Sequence, residues 1–436
     1  MSIDPRDFDI YVSQAPAPPL SAKIQSDVVW NVGSLAILGV AGLALNVLIG
    51  EHWDESTLGV FNQGLAAYTF FSMAAVGGID RSALRSVAEA GTDRARAAAA
   101  AWATLVPTVL LAAVVTALYW FARWPIARFL ESDGVALAIE ASAPGLFFFA
   151  LNKVLLAIVN GERRMKTFAV YQSLRYVGIL AALFVAMSEG WSGDRLLVVF
   201  TISEGVLFMV AGIDVARLLR FAPSGWSGEV RHHVVFGARS AVSGVLLELN
   251  AKVDVWMIGA TMSDAAVGVY TYASMLAEGL YQLVVVLQNV WNPILARHLA
   301  AGERDAARDV VLRARTKCWL GIGAVALVAV LLFPVALSLI GARPEFQAAH
   351  VPFAILAGGI ALAAGYLPFG QLLLMGGRPA THTLLMTLTV LANVVANWIL
   401  IPRIGLAGAA LATAVSMVFS VVLLRLFARS QLGVRI

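Results

Sequence analysis

Twelve stretches of this chain are apolar enough, and at about 20 residues long enough, to cross a bilayer. They run at roughly 28–50, 58–79, 97–122, 135–159, 168–188, 196–216, 234–260, 268–295, 318–341, 350–375, 382–401 and 405–427. Lipid offers no partner to an open backbone, so each is expected to be a helix. The connecting segments on the side opposite the termini do not exceed about a dozen residues, too short to house a separate domain. Only 13% of residues are charged and mean hydropathy is +0.80, whereas soluble domains carry about 25% charged residues. The fold class is therefore an all-α polytopic membrane protein.

The basic residues orient it. Of 31 Lys and Arg, 22 fall on the side of the termini, 5 on the other side and 4 inside spans. The positive-inside rule predicts cytoplasmic termini and a cell (inner) membrane location. The first 27 residues are acidic and Pro-rich, without the basic start and apolar run of a cleavable signal. They read as a cytoplasmic tail. The pI near 9.3 suits nucleic acid, but the basic loops lack interleaved aromatics. They fit a topology signal and contact with membrane lipids instead.

Several chemistries are excluded early. Cys318 is the single cysteine, so no internal disulfide or thiolate cluster exists. The six histidines show no ligand spacing beyond the adjacent His232–His233, which reads as an interfacial pair. No phosphate-binding, nucleophile-elbow or paired-acid loop motif is present, so neither catalysis, a metal nor a cofactor is expected.

The chain repeats itself. "LGVFNQGLAAY" around Gly59 resembles "VGVYTYASMLAE" around Gly268, 209 positions on. Matches around Gly91 and Gly302, and around Gly161 and Gly377, follow at offsets of 211 and 216. Each half holds six spans, so the halves are parallel repeats. We expect an N-terminal bundle over 28–220, a linker over 221–233, a C-terminal bundle over 234–427 and a short tail over 428–436, with a cavity between the bundles.

Ionic residues inside spans must face something other than lipid, because each costs about 2.5–3.5 kcal/mol at the bilayer centre. The candidate anion-binding residues are Lys153, Arg175, Arg239 and Lys252. Glu204, Glu248, Asp254 and Glu278 are candidate cavity carboxylates or ion-coupling groups, with Asn46 and Asn250 as supporting polar residues. Glu248 and Lys252 are four apart and can pair; Asp254 lies some 200° around the helix from Lys252. Both sets can equally serve as staples between helices. Asn46 is the first-span counterpart of Lys252 in this reading.

"KVDVWMIGATMSDAAVGVYTYASML" (252–276) and "NVVANWILIPRIGLAGAALATAVS" (393–416) resemble the polysaccharide flippases of the Wzx type, in the MATE-like exporter superfamily. "VNGERRMKTFAVYQSLRYVG" (159–178) is similar to their fourth-to-fifth span turn, whereas the acidic "GEHWDES" loop (50–56) has no match there. The resemblance implies a polyprenyl-diphosphate-linked oligosaccharide substrate, flipped by alternating access for O-antigen, exopolysaccharide or capsule synthesis. It implies work beside a polysaccharide polymerase and a coupling ion, H+ or Na+. Cations suit the diphosphate. The "IPRIGLAGAALAT" stretch is expected to be scaffold. An ion-coupled antiporter of drugs or metabolites is the second reading. A membrane glycosyltransferase is the third, and it would need a large loop or a metal-binding acid pair.

Overall fold

The computed structural model of the protein describes residues 22–221, 225–339 and 342–436. Thirteen α-helices follow one another, with no strand among the described residues. The first half holds α1 (Ala22–His52), α2 (Glu55–Val76), α3 (Ile79–Ala90), α4 (Arg94–Phe129), α5 (Asp133–Gly161), α6 (Met165–Ser188) and α7 (Val198–Leu219). The second holds α8 (Val230–Thr261), α9 (Asp264–Ala300), α10 (Arg304–Leu339), α11 (His350–Ala363), α12 (Leu372–Met375) and α13 (Pro379–Phe427).

Local chemistry sets several boundaries. Asp54 caps α2 by accepting from the Thr57 N–H at 2.6 Å, and Ser263 caps α9 by accepting from Ala266 at 3.2 Å. Gly77 and Gly78 have φ of +56° and +68°. Two successive left-handed residues end α2 at the close of the second span and start α3 beyond it. Helix α13 runs 49 residues but is broken at Ile404 and at Gly405, whose φ is +59°. Its two arms are the eleventh and twelfth spans, and α11 with α12 forms the tenth.

Seven of the helices, counting their short flanking turns, are long and apolar enough to cross a membrane among the described residues. Helices α8 and α9, which carry Lys252, Asp254 and Glu278, are not among those seven, whereas α5, α6 and α7, which carry Lys153, Arg175 and Glu204, are. Helix α4 has 36 residues and α9 has 37, so each extends about 55 Å, well past a hydrocarbon core of about 30 Å. Along α4, Leu110, Val114, Leu118 and Phe121 form one exposed apolar stripe. Such a face has lipid as its solvent.

Each half builds its own centre. Helix α5 packs against α2, α3, α4 and α7, while α11 and α13 pack together among α8, α9 and α10. Between halves, α2 lies against α9 and α8, and the start of α8 rests on α3. One apolar core crosses the boundary, joining Ile49, Phe61 and Tyr68 to Tyr270, Tyr272 and Phe346. It lies toward the face poor in basic residues. Toward the basic face the halves keep separate cores, one around Val87, Val159 and Leu207, the other around Val311, Phe369 and Leu424.

Candidate functional site

Asp254, on α8, is the centre of a polar cluster inside the second half. Its carboxylate accepts from Tyr270 Oη at 3.0 Å, Asn397 Nδ2 at 2.8 Å, Asn393 Nδ2 at 3.3 Å and the Thr413 hydroxyl. These donors come from α9 and from both arms of α13. Asn393 and Asn397 are buried, and Asn397 Oδ1 has no hydrogen-bond partner. The set offers carboxylate, amide and hydroxyl oxygens and one negative charge. Oxygen donors suit hard cations, and one charge suits a monovalent ion or a proton. No group of three His, Cys, Asp or Glu that could hold a metal ion occurs among the described residues.

The first half holds a different arrangement. Arg175 and Glu204 are both buried, with Arg175 Nε 2.6 Å from Glu204 Oε1. That approach is an ion contact; the hydrogen bond runs from Nη2 to Oε2 at 3.2 Å. Asn152 Nδ2 adds a bond to Oε2 at 2.8 Å. The Arg175 guanidinium lies 4.9 Å from the Phe149 ring centre, and the Lys153 ammonium lies 5.5 Å from the same ring. Two cations therefore share one aromatic at membrane depth.

At the seam, Lys252 Nζ sits 3.7 Å from Glu278 Oε1, and the Glu278 side chain is 62% exposed. Asn46 Oδ1 accepts from Asn62 Nδ2 at 2.9 Å.

The two halves are sealed at the face poor in basic residues. A Cβ placed on Gly59 would lie 1.8 Å from the carbonyl oxygen of Asp264; one placed on Gly268 would lie 1.8 Å from that of Glu55. Both pairs are related by the same offset of 209 positions, so the crossing of α2 and α9 is reciprocal. Side chains fasten it. Asp264 accepts from Gln63 Nε2 at 2.6 Å and Ser132 Oγ at 2.8 Å. Glu51 accepts from the Arg343 N–H at 3.2 Å, and the Arg343 guanidinium donates back to the Glu51 carbonyl.

Several expectations are revised by this geometry. Arg175 and Glu204 do not line an open cavity; they neutralise each other within one half, because a buried charge needs a partner. Lys252 reaches Glu278 on the neighbouring helix. The side chains of Arg239, Glu248 and Asn250 lie outside the described residues. The reciprocal offset places Asn46 opposite position 255, beside Asp254, instead of opposite Lys252. The "IPRIGLAGAALAT" stretch is more than scaffold, since Thr413 reaches Asp254. Asn393 and Asn397 were missed as site residues; their i, i+4 spacing in an apolar span was the available signal.

No curated protein sequence matches the chain. The family described as "Polysaccharide biosynthesis protein" matches residues 29–299. Among solved structures, the lipid II flippase MurJ in an inward closed conformation is similar at 15% identity, covering 92% of this chain and 88% of that one, with a TM-score of 0.75. An inward-facing multidrug resistance MATE family transporter of the MOP superfamily is similar at 14% identity, 93% and 94% coverage and a TM-score of 0.74. An outward-facing structure of such a transporter reaches 0.57, at 15% identity and 94% and 95% coverage.

Proposed function

The chain belongs to the polysaccharide biosynthesis protein family, and from that premise we propose that it flips a polyprenyl-diphosphate-linked oligosaccharide across the cytoplasmic membrane. Its fold is that of the MATE-like exporters. The basic face is cytoplasmic in this reading, with both termini there and bundles over 28–220 and 234–427. Separate cores toward that face, and the sealed crossing opposite, support a state open to the cytoplasm. The higher similarity to the inward-facing MATE family structure than to the outward-facing one supports it.

The observation that carries the reading is the half-buried Lys153 ammonium beside Phe149 at membrane depth, next to an Arg175 already neutralised by Glu204. A diphosphate needs such charges, sugars need the wet seam marked by exposed Glu278, and a prenyl tail can stay in lipid. Asp254 and its amide and hydroxyl partners would hold the coupling proton or monovalent cation. The test is surface polysaccharide in cells carrying Lys153→Gln, with membrane levels of protein measured in parallel. Loss of polymer with normal protein, and lipid-linked oligosaccharide accumulating in the inner leaflet, is expected. Normal polymer would reject the role of this charge. An ion-coupled antiporter is the second reading, favoured by the Asp254 cluster; export of small cations by proteoliposomes that fail to flip the oligosaccharide would select it.

A further inference from the structure

The His232–His233 pair takes no part in the reading above. His233, at the start of α8, is 1% exposed. Its Nδ1 is 2.8 Å from Ser82 Oγ on α3. Its Nε2 has no hydrogen-bond partner and lies 3.8 Å from Glu229 Oε2, beyond hydrogen-bond reach. An unsatisfied buried imidazole nitrogen is costly, and a native site that keeps one has a use for it.

His233 belongs to the wall of a cavity of about 210 Å³, lined also by Ser86, Glu89, Arg96, Glu229 and His232. Drug-sized ligands take about 300–1,000 Å³, so this cavity suits a smaller group. Its lining carries both signs. Arg96 and the two imidazoles face an anion, and Glu229 and Glu89 face a cation, with Arg85 holding Glu89 at 2.7 Å. A zwitterion satisfies both sets; a simple ion of either charge leaves the opposite set unmatched.

The cavity sits at head-group depth. Val234 and Val235 follow His233 directly and are each 41% exposed, so the lipid-facing part of α8 begins there. Trp102 stacks on Trp226 with ring centres 5.9 Å apart, and Arg94 lies over exposed Phe221 at the same level. Tryptophans gather at membrane–water interfaces. We propose that the cavity binds a phosphate–amine zwitterion, carried by the phosphoethanolamine head group of a phospholipid. The phosphate lies against Arg96 and His233 Nε2, and the ammonium against Glu229. Because α3 and α4 come from the first half and α8 opens the second, the bound lipid joins the halves at the basic face.

The test compares the purified full chain with phosphatidylethanolamine, with phosphatidylcholine of the same acyl chains, and with soluble phosphoethanolamine. Retained lipid is counted by native mass spectrometry, and the melting midpoint is read in each. Phosphatidylethanolamine is expected to be retained and to stabilise more than phosphatidylcholine. Arg96→Gln and Glu229→Gln, both at exposed side chains, are expected to weaken that retention by about tenfold, the loss of one charge-assisted hydrogen bond. Equal retention of the two lipids, or an undiminished preference in both variants, would overturn the site. Stabilisation by soluble phosphoethanolamine without retention of the lipid would overturn its membrane source.

Discussion

Gly59→Ala is expected to open the sealed face. In an isolated helix this change is favourable by about 1 kcal/mol, because glycine is a poor helix former. Here the new methyl would lie 1.8 Å from the Asp264 carbonyl oxygen. Ordinary contact is about 3.5 Å, so α2 and α9 must separate by more than about 1 Å. Neither helix backbone can yield as a side chain would. Overpacking of this kind costs about 1–3 kcal/mol. Separation also stretches the Gln63 and Ser132 bonds to Asp264, each worth about 1.5–3 kcal/mol as bonds to a charged group. Taking about 3 kcal/mol for the closed state, the ratio of sealed to open molecules falls about 100-fold. Spin labels at Glu131→Cys and Met262→Cys, in a Cys318→Ala background, report the gap between halves by pulsed electron resonance. The expected result is a longer distance population in Gly59→Ala, and again in Gly268→Ala. A distribution unchanged in both variants, with a raised melting midpoint, would show that the crossing does not set the seal.

Asp254→Asn keeps the shape of the cluster and removes its charge, so flipping by proteoliposomes is expected to lose its response to an imposed proton or sodium gradient while the fold persists. Arg175→Gln or Glu204→Gln alone leaves a buried charge unpaired and is expected to cost about 3–5 kcal/mol, read as a lower melting midpoint; Arg175→Met with Glu204→Met is expected to recover most of it. Burial, and the neighbouring His232, push the His233 pKa below the ordinary imidazole range. The unfolded chain then takes up that proton first, so stability is expected to fall as pH drops below about 6.5. A melting series from about pH 7.5 to 5, spanning the ordinary imidazole range, should show this dependence reduced in His233→Gln.

The all-α membrane fold class was legible because it rests on composition and on period, which need no partner. Gly59 and Gly268 stood out as a repeated pair before their packing was known, and the crossing explains why both positions hold glycine. The site was legible only by halves. Asp254 is conspicuous in an apolar span, but its partners lie up to 159 positions away and are uncharged. An Asn or Thr in a membrane helix costs little, so hydropathy gives it no weight. The spacing of Glu248 and Lys252 points to a pair along one helix, but it cannot reveal that Glu278 on a neighbouring helix also comes within reach of Lys252. Arg175 and Glu204 sit on adjacent helices, 29 positions apart, and nothing in their spacing tells a cavity wall from a staple.

The bend at Ile404–Gly405 has a consequence for tolerated chain length. Asn397 and Thr413 are sixteen positions apart and reach one carboxylate. An unbroken helix would hold them about 24 Å apart. One residue added or removed between them would turn the later arm by about 100° and carry the threonine hydroxyl away from the acid. This short interval should therefore accept substitutions at its outward-facing positions yet reject insertions and deletions anywhere along it.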